Sequence, residues 1–213
     1  MRKTLLPRSG GSHALVETLE SRTLMSAAIS HKPTLTLRDP GGVYNGGAYP
    51  ASVKLNGSDA PLEGVSPEVL YYLGRSVSGP ATTTAPTDAG VYTSVAVFPG
   101  SANWAVVRSN RVTFVITKAR PQLVLSDPSG PATGSPFWAI ATLNGSLDPL
   151  DGIFPLISYR NLKDPGAGVS YIAPTTPGIY STKAVFPGSE NYLATSTRPV
   201  FFTISSPDTI TTV

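Results

Sequence analysis

The chain contains the same segment twice. Residues 33–118 and 121–206 align at a constant offset of 88 without a gap, and about 32 of the 86 paired positions are identical. Self-similarity at a fixed period indicates a tandem array of one folding unit. This unit is too long for a solenoid element and has the size of a small domain that buries its own core. We therefore predict domains at 33–118 and 119–206, between a leader (1–32) and a tail (207–213).

Composition favours strands over helices in both copies. The chain has 20 Gly and 21 Pro, and only 14% of its residues are charged, which suits short strands joined by turns. We predict an all-β fold of two tandem antiparallel β-sandwiches, after a leader that is mostly disordered or partly helical. Apolar and polar residues alternate along the predicted strands, which in the first copy lie near 34–38, 48–55, 68–74, 80–85, 90–98 and 111–117. The second copy predicts the same strands at the same offset.

The repeat also orients the fifth predicted strand. In the first copy both faces of residues 90–98 are apolar, so that copy alone does not tell the inside from the outside. In the second copy Val95 is replaced by Lys183, and a lysine is almost never fully buried without a partner. The face that carries Tyr92, Ala96 and Phe98 is therefore predicted to point inward. The strand then enters a Pro99-Gly100 turn of type II character.

The segment Asp88-Ala89-Gly90-Val91-Tyr92 resembles the tyrosine corner of immunoglobulin-like sandwiches, in which the tyrosine hydroxyl binds nearby backbone. The resemblance implies an immunoglobulin-like fold for both copies, as in the bacterial Ig-like domains of tandem surface proteins. Two features depart from the pattern. Ser94 and Thr182 stand where antibody domains have a disulfide cysteine, and the second copy has Thr176 in place of the aspartate. Tyr71 and Tyr159 lie roughly where the central tryptophan would be.

The leader carries the excess positive charge. It has five Lys/Arg against two Asp/Glu, whereas the rest of the chain has 11 of each, so its balance is zero. A nucleic-acid binder needs basic residues clustered on its folded domain, and no such cluster is predicted here.

Residues 16–27 (VETLESRTLMSA) resemble the LEPR-XLL motif near the N-terminus of many bacterial surface or exported proteins. Ser21 replaces the usual proline of that motif. The resemblance implies a secreted or cell-surface location.

The residue types limit the chemistry. There is no cysteine, and both histidines, His13 and His31, lie in the leader, so a Ser-His-Asp triad or a His-ligated zinc site in the repeats is excluded. We predict a non-enzyme with no catalytic residues, no cofactor and no metal site. The more specific alternative to a chain without metal is a calcium ion between the domains, bound by Asp39, Asp127 and Glu63. It is disfavoured because acidic clusters are absent and the stretch 117–120 is basic.

Other polar motifs are predicted to be structural. Glu63 and Asp151 precede glycine in matching turns, and we predict that they are turn residues whose charges are solvated. Asp39 and Asp127 precede proline, where an Asx side chain caps backbone. Asn56 and Asn144 begin Asn-Gly-Ser sequons, and Asn-Gly is also a favoured hairpin turn.

The preferred function is that of a structural or adhesive module of an exported, surface-associated bacterial protein. The short linker 117–121 favours a semi-rigid rod. One alternative is a module that binds carbohydrate or a cell-surface protein through end loops and exposed aromatics, and another is an accessory region of a larger extracellular enzyme. No transmembrane segment is predicted, and we expect a monomer.

The aromatic candidates for the binding alternative are Tyr44, Tyr72 and Trp138. Loop positions that differ between the copies are Asn45–Gly47 against Thr133–Ser135, and Arg108 and Arg111 against Ser196 and Pro199.

Overall fold

A computed structural model describes residues 31–126 and 129–206. The described residues form strands and turns, with a single short 3-10 turn at Pro165–Ala167. The strands of the first copy are β1 (Leu35–Arg38), β2 (Gly42–Val43), β3 (Ser52–Leu55), β4 (Glu68–Leu73), β5 (Gly90–Phe98), β6 (Val107–Arg108) and β7 (Val112–Thr117). The strands of the second copy are β8 (Leu123–Ser126), β9 (Gly130–Pro131), β10 (Ile140–Leu143), β11 (Leu156–Asn161), β12 (Gly178–Phe186), β13 (Thr195–Ser196) and β14 (Val200–Ser205).

Each copy folds into one five-stranded and one two-stranded sheet. In the first copy the larger sheet has the order β2-β7-β5-β4 with β6 beside β5, and β1 pairs with β3. The second copy repeats this arrangement as β9-β14-β12-β11 with β13 beside β12, and β8 pairs with β10. Among the described residues, every strand pairs only within its own copy. The predicted all-β fold of two tandem sandwiches is therefore confirmed, whereas the exact domain boundaries stay predictions.

The cores lie between the two sheets of each copy. Ala96 and Phe98 on β5, like Ala184 and Phe186 on β12, have no exposed surface. Tyr180 is also buried, and Tyr92 is half-buried, so this face points inward as predicted. The opposite face is exposed or half-buried along β12, whereas in β5 Thr93 and Val95 on that face are buried as well. Aromatic rings fill the centre of each core. They are Tyr71, Tyr92 and Phe114 in the first copy, and Tyr159, Tyr180 and Phe202 in the second.

The tyrosine hydroxyls at the start of β5 and β12 bind backbone as predicted. Tyr92 Oη donates to the carbonyl of Asp88 at 3.0 Å, and Tyr180 Oη donates to the carbonyl of Thr176 at 2.9 Å. Each ring lies over a glycine two residues earlier in the chain. A Cβ on Gly90 would stand 3.1 Å from the Tyr92 ring. A glycine at this position therefore lets the ring lie close against the strand backbone.

Tyr71 and Tyr159 tie the two sheets of each copy together. Both side chains are buried, and their hydroxyls accept the amide protons of Ala51 and Ala139 at 2.8 and 2.9 Å. Burial raises the pKa of both phenols, against the lowering effect of these amide donors. Each phenol therefore stays neutral and serves as a hydrogen-bonding core residue.

Two expectations about the strands were wrong. The segment 80–85 is not a strand, because only Thr82 forms a bridge, with Tyr71, and its hydroxyl accepts the amide of Thr84. This local bond competes with continued strand pairing. The sheets are also not purely antiparallel. The two-residue strands β2 and β9, which the sequence reading missed, pair in parallel with β7 and β14.

Candidate functional site

The junction between the two sandwiches is the most specific polar arrangement in the described part of the chain. Its centre is Asn191, which lies in the loop after β12 and is only 6% exposed. The Asn191 side-chain oxygen accepts the amide of Ala89 at 2.7 Å, and its amide group donates to the Asp88 carboxylate at 3.2 Å. Asp88 and Ala89 lie just before β5 of the first copy, and the Asp88 carbonyl also accepts the Tyr92 hydroxyl. One side chain of the second sandwich therefore binds both a backbone and a charged group of the first.

Further contacts surround this amide. The ring of Tyr44 meets the ring of Tyr192 edge to face, with centroids 5.3 Å apart. Lys118 Nζ, in the linker, donates to the carbonyl of Ser189 at 2.7 Å. Ala119 then pairs with the same loop, since its amide donates to the carbonyl of Asn191 at 2.9 Å. Lys118 and Ala119 of the linker are thus bonded to the second sandwich.

Asp151 fixes the loop that carries Asn191 through hydrogen bonds to its carboxylate. This residue occupies a left-handed turn position (φ 49°), and its carboxylate accepts the hydroxyl of Ser189 at 2.7 Å and the amide of Asn191 at 3.0 Å. Desolvation would raise the pKa of Asp151, but the hydrogen bonds from Ser189 and Asn191 and the charge of Lys118 lower it overall. Asp151 therefore stays ionised and keeps the loop in the shape that presents Asn191.

The first copy has the same loop, with Asn103 at the position of Asn191. Glu63 takes the place of Asp151, and it accepts both the backbone and the side-chain amide of Asn103. The Ser101 hydroxyl and these Asn103 donors lower the pKa of Glu63. Asn103, unlike its counterpart Asn191, is exposed. The burial of Asn191 is therefore a consequence of the junction and not of the repeat fold.

His31 occupies in the first copy the place that Ala119 has in the second. Its amide donates to the carbonyl of Asn103 at 2.8 Å, and its ring lies 5.3 Å from the ring of Trp104. From its position in the sequence, this histidine was predicted to lie in the leader, apart from the folded repeats. It nevertheless contacts the first sandwich directly.

The structure separates the predicted calcium ligands. Glu63 binds the loop at Asn103, whereas Asp39 is buried beside Ser94 and Gly41, and Asp127 lies outside the described residues. Among the described residues, no three His, Cys, Asp or Glu side chains are grouped as a metal site would require. The turn reading of Glu63 and Asp151 is confirmed by their positive φ values. Both side chains are exposed, as expected for solvated charges, and both carboxylates also accept hydrogen bonds from a loop.

Asp39 caps backbone as predicted, because its carboxylate accepts the amide of Gly41 at 3.4 Å. Ser94 Oγ donates to the same carboxylate at 3.4 Å. Burial raises the pKa of Asp39 above its ordinary value of 3.8, although the bonds from Gly41 and Ser94 work in the opposite direction. The folded protein therefore binds this proton more tightly than the unfolded chain does.

The raised pKa predicts that removing the charge of Asp39 stabilises the protein, by an amount that depends on pH. Protonation of Asp39 contributes stability that is fully present below pH 3.8 and is lost as the pH rises through the higher pKa of the folded state. Asp39→Asn keeps the shape and the hydrogen-bonding capacity without the charge, so we expect a higher Tm than wild type at pH 7. Thermal unfolding followed by circular dichroism between pH 3 and 7 measures the difference. It should vanish at the acidic end, and a constant difference across this range would contradict the assignment.

The predicted aromatic candidates differ in their environment. Tyr44 is at the junction, and Tyr72 is half-buried. Trp138 is 60% exposed and lines a cleft in which Tyr171, which the sequence reading did not single out, is 68% exposed. The signal that could have found Tyr171 is its replacement of Thr83 of the first copy.

The remaining candidates form local turns. The Asn56-Gly57 and Asn144-Gly145 pairs have positive φ and close two-residue hairpins, as predicted. The Asn45 side chain accepts the amide of Gly47 at 2.8 Å, and Thr133 binds Ser135 in the same way at 3.4 Å. Arg108 and Arg111, like Ser196 and Pro199, are exposed at the surface. These loops bring no chemical groups together into a site.

No family model matches the chain, and no curated protein sequence matches it either. The function must therefore be inferred from the geometry of the molecule itself. The described residues include no helix with the length and apolar character needed for a membrane crossing.

Proposed function

We propose that this chain is a non-enzymatic structural and adhesive module of an exported, surface-associated bacterial protein. Its two sandwiches, taken as immunoglobulin-like, act as a semi-rigid spacer that holds other parts of a surface protein at a defined distance and angle. The observation that carries the proposal is the pair of hydrogen bonds from Asn191 to Asp88 and Ala89. A flexible tether needs no such contact, whereas a spacer of fixed geometry does.

The chemistry of the junction supports the same proposal. Inter-domain contacts that are small and purely polar usually allow domain motion. Here the amide bonds are combined with the ring contact of Tyr44 and Tyr192 and with the Lys118 bond to Ser189. Loss of solvent, together with Tyr192, Asp151 and Asp88, raises the pKa of Tyr44, so this ring stays neutral at the interface. Three kinds of contact thus restrain the junction, and one of them, the Lys118 bond, lies in the linker.

The tyrosine corner supports the immunoglobulin-like assignment. A tyrosine at the start of a central strand, bonded to backbone four residues earlier, is a hallmark of that sandwich. The export proposal depends on the LEPR-XLL-like residues 16–27, which lie outside the described residues.

We expect Asn191→Ala to loosen the spacer while leaving both sandwiches folded. The variant removes the acceptor for Ala89 and the donor to Asp88, so the domains should sample a wider range of angles. Small-angle X-ray scattering should give a broader distance distribution with a larger maximum dimension than wild type. Asn103→Ala is the matched control, since this residue is the repeat equivalent and binds Glu63 within the first copy. Identical scattering from wild type and Asn191→Ala would contradict the spacer role.

Localisation is tested separately in the native cell. Whole cells are treated with an external protease and fractionated, and an antibody against the repeats follows the protein. The proposal predicts signal in the surface or secreted fraction that disappears on protease treatment. A signal confined to the cytoplasmic fraction would overturn the export part of the proposal.

A further inference from the structure

The second sandwich has an exposed apolar cleft near its edge strand β11. A cavity of about 320 Å³ is lined by Trp138, Pro155, Leu156, Ile157, Tyr159 and Tyr171. Three of these side chains, those of Trp138, Leu156 and Tyr171, are between 59% and 68% exposed. Two aromatic rings and one aliphatic side chain thus line the opening of one cleft in contact with solvent.

The first sandwich lacks this apolar surface although it has the same fold. Its equivalent positions are Pro50 for Trp138, Glu68 for Leu156 and Thr83 for Tyr171. The buried tyrosine beneath is retained in both copies and makes the same backbone bond. Folding therefore does not require the exposed apolar residues of the second copy. Clustered exposed apolar side chains that the fold does not need mark a binding surface.

The cleft offers neutral polar groups beside the rings. Strand β11 is at the edge of its sheet, and Tyr159 pairs outward with Ser170. Backbone groups alternate along a strand, so the N–H and C=O of Ile157, a residue that lines the cleft, also point away from β12. No charged side chain lines the cavity. A matching ligand presents a flat apolar face and hydroxyl groups and carries no net charge.

We propose that this cleft binds a neutral saccharide, with the apolar face of one sugar ring on Trp138 or Tyr171 and its hydroxyl groups at the Ile157 backbone. The cavity volume is at the lower end of the range of about 300–1,000 Å³ found for small-molecule sites. An extended peptide fits less well, because Pro155 has no N–H and interrupts strand addition along the edge. This binding role goes beyond the spacer function and does not depend on it.

The test uses the full chain and a printed array of neutral and acidic oligosaccharides. The neutral oligosaccharide with the strongest signal is then titrated in solution by calorimetry. Trp138→Ala and Tyr171→Ala should each weaken its binding by roughly tenfold. Phe201→Ala is the control, because this aromatic residue of the same sandwich is 65% exposed and does not line the cleft. Its affinity should equal that of wild type.

A second readout locates the ligand. The chain has two tryptophans, so Trp104→Phe leaves Trp138 as the one tryptophan fluorophore. Its emission should shift to shorter wavelength when the oligosaccharide covers the ring. Absence of binding to every neutral glycan, or binding that Trp138→Ala leaves unchanged, would overturn the proposal. The proposal would also be overturned if Trp138→Ala abolished self-association of the chain, or binding of a peptide, in place of glycan binding.

Discussion

Phe186→Ala should lower the free energy of unfolding of the second sandwich by about 3–5 kcal/mol, the usual cost of emptying a fully buried aromatic site. Phe186 ends β12 with no exposed surface, on the inward face that Lys183 helped to identify. The matched control is Phe201→Ala, because Phe201 is 65% exposed on β14 of the same sandwich. Its effect should stay within about 0.5 kcal/mol.

Urea unfolding measures both variants in the Trp104→Phe background, where Trp138 reports on the second sandwich. Equal losses for Phe186→Ala and Phe201→Ala would show that the faces of the sheet are assigned incorrectly. The first sandwich should unfold at an unchanged urea concentration when it is followed through Trp104 in a Trp138→Phe background.

Gly188→Ala should be nearly as damaging, with an expected loss of about 2–4 kcal/mol. Gly188 has a φ of 89°, and an added Cβ would lie 2.9 Å from the amide nitrogen of Ala194 and 3.2 Å from the carbonyl oxygen of Tyr192. Both neighbours are backbone atoms that side-chain motion cannot clear. The same loop presents Asn191, so the junction should loosen as well.

Gly145→Ala separates the cost of a side chain at positive φ from the cost of the steric clash. Gly145 has a similar φ of 81°, but nothing lies within 4 Å of its added Cβ. Only the backbone penalty of about 1–2 kcal/mol remains for this variant. A loss at Gly188 no larger than the loss at Gly145, in the same urea experiment, would contradict the close packing of the loop.

The repeat made much of the fold predictable. The lysine at position 183, where the first copy has Val95, distinguishes inside from outside in the second copy. The Pro-Gly and Asn-Gly pairs indicate turns through local conformational preference. Such signals are contained within a few residues. The segment 80–85 was mistaken for a strand because its threonines favour strands in general, while the local bond from Thr84 to Thr82 is not visible in a propensity.

The long-range partners of the junction could not be predicted in this way. Asn103 and Asn191 both follow a Phe-Pro-Gly-Ser segment in matching loops, yet one is exposed and the other is buried by the preceding sandwich. The difference comes from Asp88 and Ala89, about a hundred residues earlier in the chain. Tyr171 was missed for a related reason, since only the folded edge of β11 brings it beside Trp138.

The relative motion of the two sandwiches tests the central claim most directly. Nitrogen-15 relaxation of the full chain gives a rotational correlation time for each sandwich. A junction held by Asn191, Lys118 and the Tyr44–Tyr192 contact predicts one common value, that of a single body containing both sandwiches. Two shorter and unequal values, each typical of a lone sandwich, would contradict the account.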